Sequence, residues 1–477
     1  MYEKLELLVD GDWRQGSDRI TEDVINPATE KVLGQLPHAS TSDLDQALFA
    51  ADRAFKTWRK VNPHQRAKLL KRVAALIREN AEHIARVMTL EQGKTLAEAR
   101  IEVEITAESH EWAAEECKRT YGRVVPCRYD GTKMLVEYEP VGPVAAFSPW
   151  NFPALMPMRK VATAIAAGCS VIVKPAEETP GTAIAIARLY TQAGAPPGLV
   201  NVVFGVPADV SSHLIASPII RKISFTGSIP VGKQLMRLAA EGMKKITLEL
   251  GGHAPVVVFD DVDVSKVAKI AAAGKHRNAG QVCISPTRFY VHESIHRRFV
   301  QSFTEVFRDL PVGDGLDENV KMGPLANPRR VDAMEDFVSD AKERGATVQC
   351  GGERIGNQGF FFQPTVLTEV PDDARIMTEE PFGPLAPIVS FRDYDEVMER
   401  ANSLPFGLAA YAFTASEGRA RSLATDLEAG MVGINSLMVA SPETPFGGVK
   451  ESGIGREAGI EGILEHMEIK TVSLTGA

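Results

Sequence analysis

A chain of 477 residues, 44% hydrophobic and 24% charged, has room for two or three domains and the mix of an ordinary globular protein. Its 53 Lys and Arg against 62 Asp and Glu leave a net charge of −9, which argues against a nucleic-acid partner or an anionic membrane. Five widely spaced cysteines without a CxxC pair (Cys117, Cys127, Cys169, Cys283 and Cys350) indicate neither a disulfide framework nor a metal site, so a cytoplasmic location is expected.

In chain order, the N-terminal MYEKLELLVDGDW has no basic start followed by an apolar core, and no secretory signal is expected. No apolar run reaches the ~18 residues of a membrane span. Residues 40–121 have helical periodicity. Leu44, Ala47, Leu48, Ala51, Phe55 and Trp58 recur behind a Thr41-Ser42-Asp43 cap. Pro63 interrupts, and Leu69, Leu70, Val73, Ile77 and Ile84 mark a second helical stretch. Met134, Val136 and Tyr138 alternate and Pro140 follows, which predicts an edge strand or one arm of a hairpin. A strand–helix rhythm then sets in. Strands are expected at 144–147, 171–173, 200–204 and 223–225, with helices at 158–167, at 183–190 and after Gly227. Short apolar strands separated by helices imply a parallel sheet covered on both faces, which binds ligands at the carboxyl ends of its strands. Residues 248–252 read as a boundary. A second α/β unit starts at 255–258, with strands near 289–291 and 347–350, and residues 468–474 form a final extended strand.

Five segments carry candidate chemistry. In Gly280-Gln281-Val282-Cys283 the cysteine is either a nucleophile or a small buried hydrophobe. In Thr247-Leu248-Glu249-Leu250-Gly251-Gly252 the lone glutamate between leucines is either a general base with a raised pKa or an edge-strand residue facing water. In Pro149-Trp150-Asn151-Phe152-Pro153 the asparagine is either an oxyanion donor or a helix N-cap. Lys174 and Glu177, at the end of a predicted parallel strand, either reach ribose hydroxyls or form a solvated pair. Phe225-Thr226-Gly227-Ser228-Ile229-Pro230-Val231-Gly232 ends a strand and opens a helix whose N–H groups suit a pyrophosphate, although it departs from G-x-G-x-x-G.

Together with Glu380-Pro381-Phe382-Gly383-Pro384 and Pro445-Phe446-Gly447-Gly448, these segments resemble the aldehyde dehydrogenase superfamily over nearly the whole chain. LELGG followed by GQ-x-C is the most specific part. The chain is also similar to the subgroup of succinate-semialdehyde and 2-oxoglutarate-semialdehyde dehydrogenases. The resemblance implies an α/β fold with a Rossmann-like cofactor domain (residues 1–120 and 141–250) and a catalytic domain (251–448). A small β oligomerisation arm (121–140 and 463–477) completes it, and the assembly implied is a homodimer or homotetramer.

The resemblance also implies roles. Cys283 is the nucleophile, Glu249 the general base, and Asn151 with the Cys283 N–H the oxyanion hole. Lys174 and Glu177 hold the adenosine ribose, while Gly227, Ser228 and Gly232 surround the pyrophosphate. Trp150 lines the cofactor cleft, Glu380 holds the nicotinamide ribose and Phe382 packs nearby. Phe446 walls the substrate pocket, where Arg159 and Arg277 hold a substrate carboxylate and Ser441 supplies a hydroxyl.

The reaction implied is NAD-dependent oxidation of a short aldehyde bearing a carboxylate, through a cysteine thioester. NAD is preferred over NADP because Glu177 repels a 2′-phosphate. Ser285 stands where some succinate-semialdehyde dehydrogenases have a second cysteine. The competing readings are a broad-specificity aldehyde dehydrogenase, an acyl transfer to coenzyme A, a cofactor-independent thiol hydrolase and a non-catalytic binding protein on the same fold.

Overall fold

The computed structural model describes residues 2–475. Met1 and the last two positions of the expected arm, Gly476 and Ala477, lie outside the described residues. The chain opens with two hairpins, β1 (Leu7–Val9) with β2 (Asp12–Arg14) and β3 (Thr21–Ile25) with β4 (Val32–Pro37). These strands are too short for a readable alternation.

Helices α1 (Thr41–Trp58), α2 (Pro63–Glu79), α3 (Ala81–Gln92) and α4 (Leu96–Glu116) follow. The cap of α1 is Ser40, one residue before the expected Thr41-Ser42-Asp43. Its hydroxyl accepts from the Asp43 N–H at 3.1 Å, and the Asp43 carboxylate accepts from the Ser40 N–H at 3.0 Å. Pro63 takes the first position of α2, where its missing N–H does no harm. The second helical stretch is in fact two helices, because the chain breaks at Asn80 and Ile84 belongs to α3.

Strands β5 (Arg123–Val125) and β6 (Thr132–Pro140) precede an alternating run. It comprises β7 (Val144–Phe147), α5 (Leu155–Ala167), β8 (Val171–Lys174), α6 (Pro180–Gln192), β9 (Val200–Val202), α7 (Pro207–Ala216), β10 (Lys222–Gly227), α8 (Ile229–Ala240) and β11 (Lys245–Leu250). A second run holds β12 (Ala254–Val258), α9 (Val264–His276), β13 (Pro286–His292), α10 (Glu293–Arg308), α11 (Pro328–Glu343), β14 (Thr347–Cys350), β15 (Thr365–Thr368), α12 (Arg375–Thr378) and β16 (Leu385–Phe391). It continues through α13 (Tyr394–Asn402), β17 (Phe406–Gly407), β18 (Ala409–Phe413), α14 (Glu417–Asp426) and β19 (Met431–Ile434). The chain ends in β20 (Val449–Lys450), β21 (Gly453–Ile454), α15 (Gly459–Leu464) and β22 (Met467–Thr475).

The first sheet runs β2-β1-β9-β8-β7-β10-β11-β21, with a parallel core from β9 to β11. Chain order reverses at β7 and β10, the position where an open α/β sheet leaves a crevice beyond its carboxyl ends. The short β21 pairs outside β11, so Glu249 is not on an edge facing water.

The second sheet runs β14-β15-β16-β13-β12-β18-β19 and is parallel except for β14. Val256 and Val258 pack into one apolar layer and Val257 into the other, so both faces are covered and the strand sequence is uniformly apolar. A third sheet, β22-β6-β5, joins the far end of the chain to β6 in an antiparallel register from Met467↔Pro140 to Thr475↔Thr132.

Candidate active site

The carboxyl ends of β7, β8 and β10 open onto one cleft. Its inner lobe, about 410 Å³, is lined by residues that include Trp150, Gly227, Ser228, Glu380, Phe382 and Cys283. An outer lobe of about 390 Å³ shares Trp150 and Gly227 with it and extends to Lys174 and Glu177. Lys174 is buried and ion-paired with Glu177, and its Nζ donates to the Pro175 carbonyl at 3.3 Å. This is not a solvated pair.

Ser228 precedes α8 and its side chain caps nothing, so the first N–H groups of that helix stay open to an anion. Gly232, expected among the pyrophosphate contacts, lies a turn further along and lines neither lobe. A Cβ there would sit 2.6 Å from Leu250 Cδ2, so the glycine lets α8 pack on β11.

Glu380 accepts from the Gly252 N–H at 3.2 Å, and burial pushes its pKa up to about 7. A side chain at Gly251 would meet that carboxylate, which explains the glycine after LEL. Trp150 and Phe382 stand edge to face with centroids 5.5 Å apart. A strand-end cleft with an open helix N-terminus, a Lys–Glu pair and a remote carboxylate fits a dinucleotide.

Cys283 lies in the loop between α9 and β13. Just before it, Asn278, Ala279 and Gly280 all adopt left-handed backbone, with φ of 48°, 52° and 72°. Such a conformation costs about 1–2 kcal/mol for a non-glycine residue and persists only where the surroundings impose it. Gly280 is required twice over, because a side chain there would also meet the Gly383 carbonyl.

The Cys283 thiol is partly buried. Desolvation, and then the Glu380 and Glu249 carboxylates, push its pKa up to about 12. Asn151, 3% exposed, donates from Nδ2 to the Gln281 carbonyl at 3.0 Å, which leaves its second amide N–H for another acceptor. It does not cap α5. That helix begins at Leu155, and its first N–H groups are taken by the Glu102 carboxylate. Glu249 is 2% exposed and neither oxygen is hydrogen-bonded within the chain. Burial, with the Glu457 carboxylate adding to it, holds its pKa well above the usual carboxylate range.

Cys283 also lines a second cavity of about 360 Å³, whose walls include Phe152, Met156, Ile284, Leu437 and Phe446. Arg159, Arg277 and Ser441 all line it. The two arginines differ. Arg159 is buried and its guanidinium is engaged by Glu457, with Nε 3.0 Å and a terminal nitrogen 2.8 Å from one carboxylate oxygen. It also lies 4.8 Å over the Phe446 ring. Arg277 is exposed, lies 5.4 Å over the Phe152 ring and has no ionic partner among the described residues. Of the two arginines expected to hold a substrate carboxylate, Arg159 is already paired within the chain and Arg277 is not, among the described residues. Ser441 is exposed, with its hydroxyl 3.3 Å from that of Thr444.

Residues 13–472 match the family model described as the aldehyde dehydrogenase family. The chain belongs to the aldehyde dehydrogenase family. It is similar to a putative 4-(hydroxymethyl)benzenesulfonate dehydrogenase of Comamonas testosteroni, 46% identical over 98% of each chain. It is 43% identical to an NADP-dependent succinate-semialdehyde dehydrogenase of Escherichia coli K12, over 98% of this chain and 96% of the other. A crystal structure of succinate-semialdehyde dehydrogenase from Burkholderia pseudomallei superposes with a TM-score of 0.98 at 41% identity, covering 99% of this chain and 98% of that one.

The aldehyde dehydrogenase has a buried charge cluster that motif reading misses. Glu457 pairs with both Arg159 and Lys160. Although burial alone would raise it, Lys160 and Arg159 pull Glu457 down to about 2. Lys160 Nζ also donates to Thr226 Oγ1 at 2.7 Å. One signal was available: Arg159 and Lys160 are the only charged residues in the otherwise uncharged α5, and adjacent buried cations need an anion. Among the described residues no helix is long and apolar enough to cross a membrane, and no cluster of His, Cys, Asp and Glu could hold a metal ion.

Proposed function

We propose that this aldehyde dehydrogenase oxidises an aldehyde carrying an anionic group far from its carbonyl, with NAD preferred over NADP. The observation that carries this reading is the place of Cys283 at the junction of two cavities. One holds Glu249, Asn151 and Glu380, and the other opens toward Arg277. The Cys283 thiol gives its proton to water, and the thiolate sulfur bonds to the aldehyde carbon. The carbonyl electron pair moves to oxygen, where the free N–H of Asn151 and the Cys283 backbone N–H receive the charge. When bound in the cleft, the nicotinamide supplies the hydride acceptor. The resulting thioester is cleaved by water whose proton passes to Glu249, Cys283 leaves as thiolate, and the acid is released. A carboxylate base with no competing hydrogen bond supports hydrolysis over transfer to coenzyme A.

Arg277 supports a substrate with a terminal carboxylate, succinate or 2-oxoglutarate semialdehyde being the first choices. A second reading draws on the apolar walls of the same cavity and on the Comamonas relative: an aromatic aldehyde bearing a sulfonate or carboxylate. The five free thiols support a reducing, cytoplasmic setting. The test is kcat/KM by reduced-nicotinamide absorbance for succinate semialdehyde, 2-oxoglutarate semialdehyde, 4-formylbenzenesulfonate, butanal and benzaldehyde. A charge-assisted contact contributes ~1.5–3 kcal/mol, so each anionic aldehyde should exceed its neutral counterpart by roughly ten- to a hundredfold. Equal handling of butanal and succinate semialdehyde would make the protein a general aldehyde scavenger.

A further inference from the structure

We propose that Lys94 is a positioning residue for the oxyanion hole. It acts through the main-chain carbonyl of Asn151, and Glu102 and Asn278 complete the frame. The inference rests on the reading of Asn151 as the oxyanion donor.

Lys94 lies in the turn between α3 and α4 and its side chain is almost wholly buried. An ammonium group taken out of water needs a counter-charge and further acceptors. Lys94 Nζ has one carboxylate, Glu102 Oε2 at 2.6 Å, and donates to one carbonyl, that of Asn151, at 2.8 Å. It also stands 4.2 Å from the centroid of the next ring, Phe152. The other Glu102 oxygen accepts from the N–H groups of Ala154 at 2.9 Å and Leu155 at 3.1 Å. One buried ion pair therefore grips both the carbonyl of Asn151 and the start of the helix that follows it.

The second grip comes from the nucleophile side. Asn278 Nδ2 donates to the same Asn151 carbonyl at 3.0 Å and to the Gln281 carbonyl at 3.3 Å. The Asn278 N–H donates to Glu98 Oε1 at 2.7 Å. These bonds impose the left-handed turn that leads to Cys283. The Asn151 carbonyl is thus shared by a lysine from the helical layer and an asparagine from the Cys283 loop, so the separation of donor and sulfur is fixed by the pair. Neither Lys94 nor Glu102 lines the cavities around Cys283. Their effect on the reaction passes through Asn151.

The experiment is a double-mutant cycle on the full-length enzyme, with pre-steady-state and steady-state rates measured at saturating NAD. Lys94→Met should lower kcat at least tenfold while the KM for NAD stays within twofold, and Lys94→Arg should recover part of the loss. In an Asn151→Ala background, Lys94→Met should cost nothing more, because the side-chain donor that Lys94 positions is already gone. Effects that multiply, or a Lys94→Met enzyme with kcat within twofold of wild type, would overturn the role of Lys94 while leaving Asn151 in place. If Asn151→Ala itself leaves kcat unchanged, the oxyanion assignment fails and this inference fails with it. Should Lys94→Met not fold, Glu102→Gln serves in the same cycle. It keeps the side-chain size and the acceptor for the α5 N–H groups but removes the charge that holds Lys94.

Discussion

Cys283 and Glu249 are both held toward their protonated forms by burial, so pH should govern the two half-reactions in one direction. A thiol pushed up to about 12 has little thiolate at neutral pH. Alkylation of Cys283 by iodoacetamide in the cofactor-free protein should therefore still be climbing above pH ~8.5, the ordinary thiol range. A plateau below that value would mean that a cation on the chain ionises the sulfur. Glu249→Gln should slow thioester release far more than thioester formation, which appears as a burst of one reduced nicotinamide per active site followed by a slow steady state. Cys283→Ala should abolish the burst and the turnover together while NAD still binds.

At the same scale, the proposed preference for NAD rests on Glu177. Its carboxylate is paired with Lys174; in the proposed complex it would accept from a free 2′-hydroxyl and repel a 2′-phosphate. Glu177→Ser should raise kcat/KM for NADP and narrow the gap to NAD. A wild type that favours NADP, as the name of the Escherichia coli relative would suggest for that enzyme, would refute the assignment. Ser285 offers no partner for a disulfide, so activity lost on mild oxidation should come from modification of Cys283 itself, and a bridge to Cys283 detected by mass spectrometry would count against this.

The elements separate the two arginines that residue identity alone makes equivalent. Arg159 projects from α5 and is bound to Glu457, which lies between β21 and α15 and raises the Glu249 pKa. Removing it leaves Glu457 with less counter-charge beside the proposed base. Arg159→Ala should accordingly reduce turnover on every aldehyde. Arg277→Ala should lower kcat/KM only for anionic aldehydes, by roughly ten- to a hundredfold, and leave butanal alone. A neutral-aldehyde rate unchanged in Arg159→Ala would show that its pairing with Glu457 has no bearing on the base. The loop before Cys283 makes a similar point about local backbone. Gly280→Ala should destabilise the protein by more than the ~1–2 kcal/mol of a left-handed alanine, because the added methyl also displaces the Gly383 carbonyl and with it the loop carrying Glu380. Chemical denaturation and NAD affinity measure the two effects separately.

At the scale of the whole molecule, most residues of the three-stranded sheet β22-β6-β5 are exposed or half-buried. Strands β5, β6 and β22 leave Tyr121, Val124, Tyr129, Ile469 and Leu474 exposed on or beside a three-stranded antiparallel arm. A small sheet with exposed apolar side chains and open edges is marginal in water, which favours a second copy against it. Light scattering on the wild type should give a dimer or tetramer mass. Val124→Glu with Ile469→Glu should shift it toward monomer, and a monomeric wild type would remove the arm's assigned purpose.

The strand–helix rhythm from residue 144 onward, the helical stretch before it and the alternating strand through Met134, Val136 and Tyr138 were legible because periodicity is a property of neighbours along the chain. Cys283, Glu249, Asn151, Lys174, Glu177 and Glu380 were singled out by short motifs and the family these resemble, and the structure lines one two-lobed cleft with all six. The first two hairpins were not, since strands of three to six residues carry too little pattern. What only the tertiary structure decided is which charges meet. Glu457 reaches Arg159 across 298 residues, and Lys94 reaches the Asn151 carbonyl across 57. A buried ion is stable only beside its counter-ion, and local sequence makes a residue charged without choosing its partner. That choice belongs to the topology, which brings the turn after α3 to Asn151 and the segment after β21 to α5. Among the described residues it leaves Arg277 without an ionic partner at the cavity, and it ties Arg159 down beside the proposed base.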